Sequence, residues 1–256
     1  MANFKILLKK NFLELKRTKK WFIFIGVFAF LSIVSALFAK YLLALITPVF
    51  EMMGIVIEFE PTIADSYAQF TANMGETAYL LIVIMFSALL IKEKTAGTYY
   101  ILKNNGVKES EIVLAEYLTK LILITVSYLA SILVFVICNL ILFNSYTGYR
   151  GVISLIFIYL LLVFALTFAF FVSSVVKKKS IGYVLGIVSY FVLPILSTIP
   201  KINVATPFYT LTLANNVMVD LEHVWADYLI NGFATIALIV TMVFASIYFF
   251  KERVDN

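Results

Sequence analysis

The chain has 256 residues, 62% of them hydrophobic and only 14% charged, with a mean hydropathy of +1.00 and a net charge of +5. Soluble domains run at about half apolar and a quarter charged, so this composition excludes a water-soluble fold. It also argues against nucleic acid as a partner, because the basic residues gather in every second gap between apolar runs instead of forming one contiguous patch.

Residues 3–17 place Phe4, Leu7, Leu8, Phe12 and Leu15 at helical spacing, with Lys5, Lys9, Lys10 and Lys16 elsewhere. This predicts an amphipathic helix within residues 1–20, lying on a membrane surface with Ile6 and Leu13 outside its apolar arc. A generic basic anchor is the alternative. Hydrocarbon about 30 Å thick, crossed at about 1.5 Å per residue, needs about 20 mainly apolar residues per span. Six segments qualify: 21–46, 71–91, 120–143, 151–176, 180–199 and 228–250. The first follows a basic region, as a secretion signal would, but its length and the lack of a small-x-small cleavage site mark a retained helix. In the second, the clearly apolar part is short for a crossing. Its helix is therefore predicted to begin near Thr71 or before, which brings Glu76 towards the outer boundary.

No ionisable side chain falls near the middle of a span, and Lys40 lies where it can snorkel to the outer headgroups. That counts against ion-coupled carriers and embedded hydrolases, which hold such groups at depth. The lone Cys138 rules out an intrachain disulfide, and the lone His223 cannot assemble a zinc site. The chain contains no G-x-x-x-x-G-K-[ST] phosphate loop. No catalytic residue, metal ligand or cofactor is predicted here.

Seventeen of the 20 Lys and Arg residues fall on the side of the termini, and only Lys40, Arg150 and Lys201 on the other. The positive-inside rule then predicts a multi-pass cell-membrane protein with both termini cytoplasmic. Trp21 at the inner boundary, and Tyr146, Tyr149, Trp225 and Tyr228 at the outer one, match an interfacial aromatic belt. Outward residues 47–70 carry Glu51, Glu58, Glu60 and Asp65 and no base, forming an acidic mouth for cations or a merely solvated surface. In the outer segment 200–227, Thr206-Pro207 predicts a short helix to Val217 with Phe208, Leu211 and Ala214 on one face. The longest inward segment, 92–119, predicts a short helix over 96–103 and a stop and turn at Asn104-Asn105-Gly106. A new helix then starts at Lys108 or Ser110.

Glu93, then Gly97-Thr98, Ile101-Leu102 and Gly106-Val107-Lys108 with Glu109, Glu111 and Ile112 resemble a motif of the ABC-2 type permeases, the membrane subunits of ATP-driven exporters. The family's proline is Gly106 here, and its frequent Gly-Lys is Ala115-Glu116. The resemblance implies an all-α, six-helix transmembrane domain over residues 1–256, with a coupling helix between helices 2 and 3 that docks on a separate cytoplasmic ATPase. ATP and Mg would sit on that ATPase. Glu93, Gly97, Thr98, Ile101, Leu102 and Gly106 would carry the coupling, with Glu93 paired to a base near the N-terminal helix. A second permease chain, identical or paralogous, would complete the path. Spans two and five would face that path, with Tyr79, Met85, Phe86, Tyr183, Tyr190, Phe191 and Pro194 as candidate lining. Gly182-x-x-x-Gly186 serves either that dimer or intrachain packing, and Pro194 is either a hinge or an end marker. The implied activity is export of an amphipathic peptide antibiotic or toxin, lipid or drug. A non-transporting immunity or scaffold protein, or an exporter of sodium or haem, is the alternative.

Overall fold

Inside a membrane every peptide group must be paired within the protein, and this chain meets the demand with helices alone. The computed structural model describes residues 2–52, 54, 60–95, 97–145, 147–200, 202–219 and 225–255, and no strand occurs among them. Glu58, Ala96, Tyr146, Lys201 and His223, each given a place by the sequence, lie outside the described residues. Helix α1 (Ala2–Arg17) turns through Thr18 and Lys19 into α2 (Lys20–Met52). The second span is broken into α3 (Ile63–Asn73), a π-helical turn (Met74–Ala78), α4 (Tyr79–Phe86) and α5 (Leu89–Thr95). After it come α6 (Thr98–Asn104), α7 (Glu109–Phe143), α8 (Gly148–Val175), α9 (Lys179–Leu196), α10 (Tyr209–Asn216) and α11 (Trp225–Asp255). Among the described residues six helical segments are long and apolar enough to cross a membrane, which makes this a multi-pass membrane protein.

The second span starts earlier than its apolar pattern suggests. Thr62 and Asp65 form a capping box, with Asp65 Oδ2 accepting the Thr62 N–H at 2.8 Å, so the helix begins at Ile63 and runs to Thr95. Its break at Ser87 and Ala88 is paired locally: the Leu90 N–H donates to Ser173 Oγ of α8 at 2.8 Å, and the Ser87 hydroxyl folds back on the Val83 carbonyl.

Around this span the bundle is tied by aromatic stacks and short polar bonds. Phe24 of α2 stacks on Phe86 at 5.5 Å, and Phe70 of α3 stacks on Phe135 of α7 at 4.2 Å. Ser66 donates to Asn139 at 2.6 Å, Asn73 to Ser35 at 2.8 Å, and Ser32 to the Ser131 carbonyl at 2.9 Å. Two thirds of the second span's apolar window (67%) is buried, against 17% in each of the fifth and sixth, so α9 and α11 present most of their surface outwards. On α1, Leu7, Asn11 and Leu15 are buried against the bundle while Ile6 and Leu13 face out.

Three sequence expectations resolve into particulars. The helix expected from Thr206-Pro207 begins instead at Tyr209, because the Thr206 hydroxyl donates back to Asn203 and caps nothing; Phe208 and Ala214 are buried and Leu211 half-buried. Pro194 lies in the last turn of α9, two residues before its end. Gly182 and Gly186 are taken up within the chain, where α9 crosses α4: a Cβ on Gly182 would meet the Ser87 carbonyl oxygen at 2.6 Å, and one on Gly186 the Ser87 hydroxyl. Gly186→Val should therefore cost about 1–3 kcal/mol, read as a lower unfolding midpoint in detergent. Gly26→Val, with nothing within 4 Å of its Cβ, should leave that midpoint unchanged.

Candidate coupling surface and its charged joint

Between the second and third spans the backbone is punctuated by two glycines in the left-handed region, Gly97 at φ +75° and Gly106 at φ +76°. Gly97 precedes α6, and Gly106 ends it in a Schellman motif: the Gly106 N–H donates to the Lys103 carbonyl at 2.9 Å and the Val107 N–H to Leu102 at 3.1 Å. Leu102 and Val107, the apolar residues at the two ends of this motif, both pack on the core. The chain then restarts as α7 with Glu109 and Glu111 in its first turn, where the helix dipole favours anions.

Helix α6 is pinned from beneath. Tyr99 is 1% exposed, packs edge-on to Phe250 of α11 at 5.3 Å, and donates its hydroxyl to Glu109 Oε1 at 3.2 Å. Burial, then the Glu109 carboxylate, push its phenol up to about 12. The hydroxyl thus keeps its proton at physiological pH, and this contribution fades only as pH climbs from about 10 towards that value. Lys103 closes on Glu109 at 3.2 Å, and Lys94 lies over the Phe250 ring at 4.3 Å. What α6 offers outwards includes an apolar pair beside the exposed Asn104: Tyr100 is 57% exposed and Ile101 64%, while Leu102 turns inwards. Of the predicted coupling residues, Ile101 is thus available to a partner; Leu102, Gly97 and Gly106 shape the helix that presents it.

Directly beside α6 is a joint of six charges. Glu93 at the end of the second span receives Lys10 of α1 at 3.4 Å, and Glu14 of α1 lies 4.0 Å from Lys20 at the start of α2. Glu116 of α7 lies 3.0 Å from Lys120 one turn along, with side chains only 2% and 1% exposed. The carboxylates of Glu14, Glu93 and Glu116 come within 4.8 Å of one another. Such a trio has the spacing of a cation site, but the ammonium groups of Lys10, Lys20 and Lys120 already stand beside the three carboxylates and balance their charge. The arrangement is a joint that ties α1 and α2 to the ends of the second and third spans.

The sequence drew attention to Glu93 but not to Glu14, Glu116 or Lys120. The usable signal was an i,i+4 Glu-Lys pair on the same helix face as Ile112, Thr119 and Leu123, all buried.

The candidate path residues do not form one surface. Tyr79 is buried, its hydroxyl 3.0 Å from Ser189, and Phe86 is spent on the stack with Phe24. Met85 is partly buried on the core, and Tyr183 lies beneath the Lys92 ammonium at 5.6 Å. Tyr190 and Pro194 are half-buried, and Phe191 is 62% exposed. A groove of about 360 Å³ lies elsewhere, between α7 and α8, lined by Tyr128, Leu129, Ile132, Leu155, Ile156 and Tyr159.

Removing one partner of a buried pair strands the other charge. Glu116→Gln should destabilise the protein by about 3–5 kcal/mol, whereas the double change Glu116→Met with Lys120→Met should recover most of that loss. Thermal unfolding in detergent separates the two; equal losses would deny the pair its role.

No protein-family model matches the chain, and no curated protein matches it in sequence.

Proposed function

We propose that this chain is the permease subunit of an ABC-2 type exporter, working with a second permease chain and a separate cytoplasmic ATPase to expel an amphipathic molecule. The observation that carries the reading is α6: a short helix held between the second and third spans by Gly97 and Gly106, pinned by Tyr99 and Glu109, and offering Tyr100 and Ile101 to a partner. An apolar pair kept exposed on a charged surface has the character of a docking knob. Seventeen of the 20 basic residues fall on the side of α6 and the termini, which supports a cytoplasmic placement of both.

The mechanism is mechanical. ATP-driven closure of the partner subunits displaces α6. The motion passes to α11 through Tyr99 and Phe250, to α7 through Glu109, and along α5 to the six-charge joint and α1. Through those paired contacts α1, α5, α6 and the start of α7 move as one lever, and the two permease chains are biased between closed and open states. The poorly buried faces of α9 and α11 are where a second chain and lipid would pack.

The test is recovery of partners from native membranes in mild detergent. A stoichiometric ATPase bearing a phosphate loop is expected to accompany the wild-type chain, and Ile101→Glu should cut its recovery at least about tenfold with the permease's own unfolding midpoint unchanged. A clean chain with no ATPase would overturn the reading and bring the immunity or scaffold alternative forward.

A further inference from the structure

Helix α1 spends its apolar arc on the bundle and not on a membrane. The buried Leu7, Asn11 and Leu15 share one side of the helix, packed on the core and on α7. Diametrically opposite, within an arc of about 120° at about 100° per residue, stand Lys5, Ile6, Lys9, Leu13, Lys16 and Arg17, every one of them exposed. The outward face thus sets two apolar side chains among four cations. Glu14, the only acidic residue of α1, lies off this face beside Lys20, and Lys10 is turned to Glu93. Among the described residues none of Lys5, Lys9, Lys16 and Arg17 has an acidic partner.

Height decides what this face meets. Ion pairs to Glu93 at 3.4 Å and to Lys20 at 4.0 Å tie α1 to the end of the second span and the start of the first. Phe12 stacks at 6.4 Å on Trp21, an aromatic of the kind that sits at a membrane boundary. Helix α1 is therefore held alongside the bundle at the rim of the hydrocarbon, and a face turned directly away from the bundle at that height looks into lipid headgroups. The first turn of α2 is open in the same way, with Phe22 and Ile23 exposed. A cluster of about four to eight Lys and Arg on such a helix attracts anionic headgroups. Apolar side chains among the cations reach the acyl boundary, and the long basic side chains snorkel to the phosphates.

We propose that Lys5, Lys9, Lys16 and Arg17, set around Ile6 and Leu13, bind the headgroups of anionic phospholipids in the surrounding leaflet. A zwitterionic headgroup carries its own cation and gains little from such a face, so the selection is for net negative charge. The surface stands on the membrane placement of the chain and is independent of the exporter reading.

The chain has two tryptophans, Trp21 beside α1 and Trp225 at the start of α11. The experiment is quenching of Trp21 fluorescence in the purified full chain carrying Trp225→Phe, in phosphatidylcholine nanodiscs doped with either phosphatidylglycerol or phosphatidylcholine brominated on the acyl chains. Brominated phosphatidylglycerol is expected to quench with an apparent affinity at least about fivefold above that of brominated phosphatidylcholine. The excess should shrink towards about 1 M salt, where screening acts over about 3 Å. Lys5→Gln, Lys9→Gln, Lys16→Gln and Arg17→Gln together should cut it at least about threefold with the unfolding midpoint unchanged, and Lys5→Arg, Lys9→Arg and Lys16→Arg together should preserve it. So should Lys177→Gln, Lys178→Gln and Lys179→Gln, which remove three other exposed cations from the connection between α8 and α9.

Equal quenching by the two lipids overturns the proposal. So does a preference that survives the four changes in α1, or one that falls equally with the changes at Lys177, Lys178 and Lys179, which would mark overall charge and not this face. Recovery of partners from native membranes decides the remaining occupant: if the four changes spare the lipid preference but abolish recovery of an ATPase, the face belongs to an acidic protein surface and the lipid proposal fails.

Discussion

A helix that crosses hydrocarbon has to pair every peptide group, and in this protein the span under most strain from that rule is the one on which the others rest. The second span departs from regular α-helix at the π turn Met74–Ala78 and again at Ser87 and Ala88, then ends at Thr95, two residues before the left-handed Gly97. Each departure is underwritten by a neighbour. Leu211 fills the space beside Gly75, Ser173 takes the Leu90 N–H, and the glycines of α9 close over Ser87. The irregular helix and its surroundings therefore specify each other, which is why the second span is the most buried of the six.

At the basic end the same span terminates in charge. Three carboxylates and three ammonium groups from α1, α2, α5 and α7 meet there, the Glu116–Lys120 pair buried and the α1 members partly exposed. Like charges at that spacing repel, and only the interleaved lysines make the cluster tolerable. These pairs add to the buried Leu7 and Leu15 in holding α1 against the bundle. On the proposed function that stiffness is what lets a push on α6 reach the N-terminal helix and the second span together.

Much of the architecture was legible in the sequence because it follows from local rules. Span number and the even topology come from runs of apolar residues; the stop at Asn104-Asn105-Gly106 comes from the conformational freedom of glycine and reappears as the Schellman motif. Harder to see were the capping box at Thr62 and Asp65, which lengthens the second span, and the pairing of Glu116 with Lys120. Lys120 on its own reads as one more basic residue at a helix end, since a linear pattern does not say which face a neighbour will cover. The candidate path residues illustrate the same limit: Tyr79, Tyr190 and Phe191 look alike in sequence, yet the first is sealed in the core and the last is open.

The sequence by itself determined that the chain is a membrane protein of six apolar helices with a punctuated connection after the second, because hydrophobic length and glycine torsions are properties of short segments. Only the tertiary structure decided that Gly182 and Gly186 serve the chain's own packing, that α6 turns Ile101 outwards and Leu102 inwards, and that one glutamate is locked in a joint while another, Glu76, faces out. Those outcomes depend on which helix faces meet across long stretches of sequence, and periodicity along one strand of residues carries no record of that meeting.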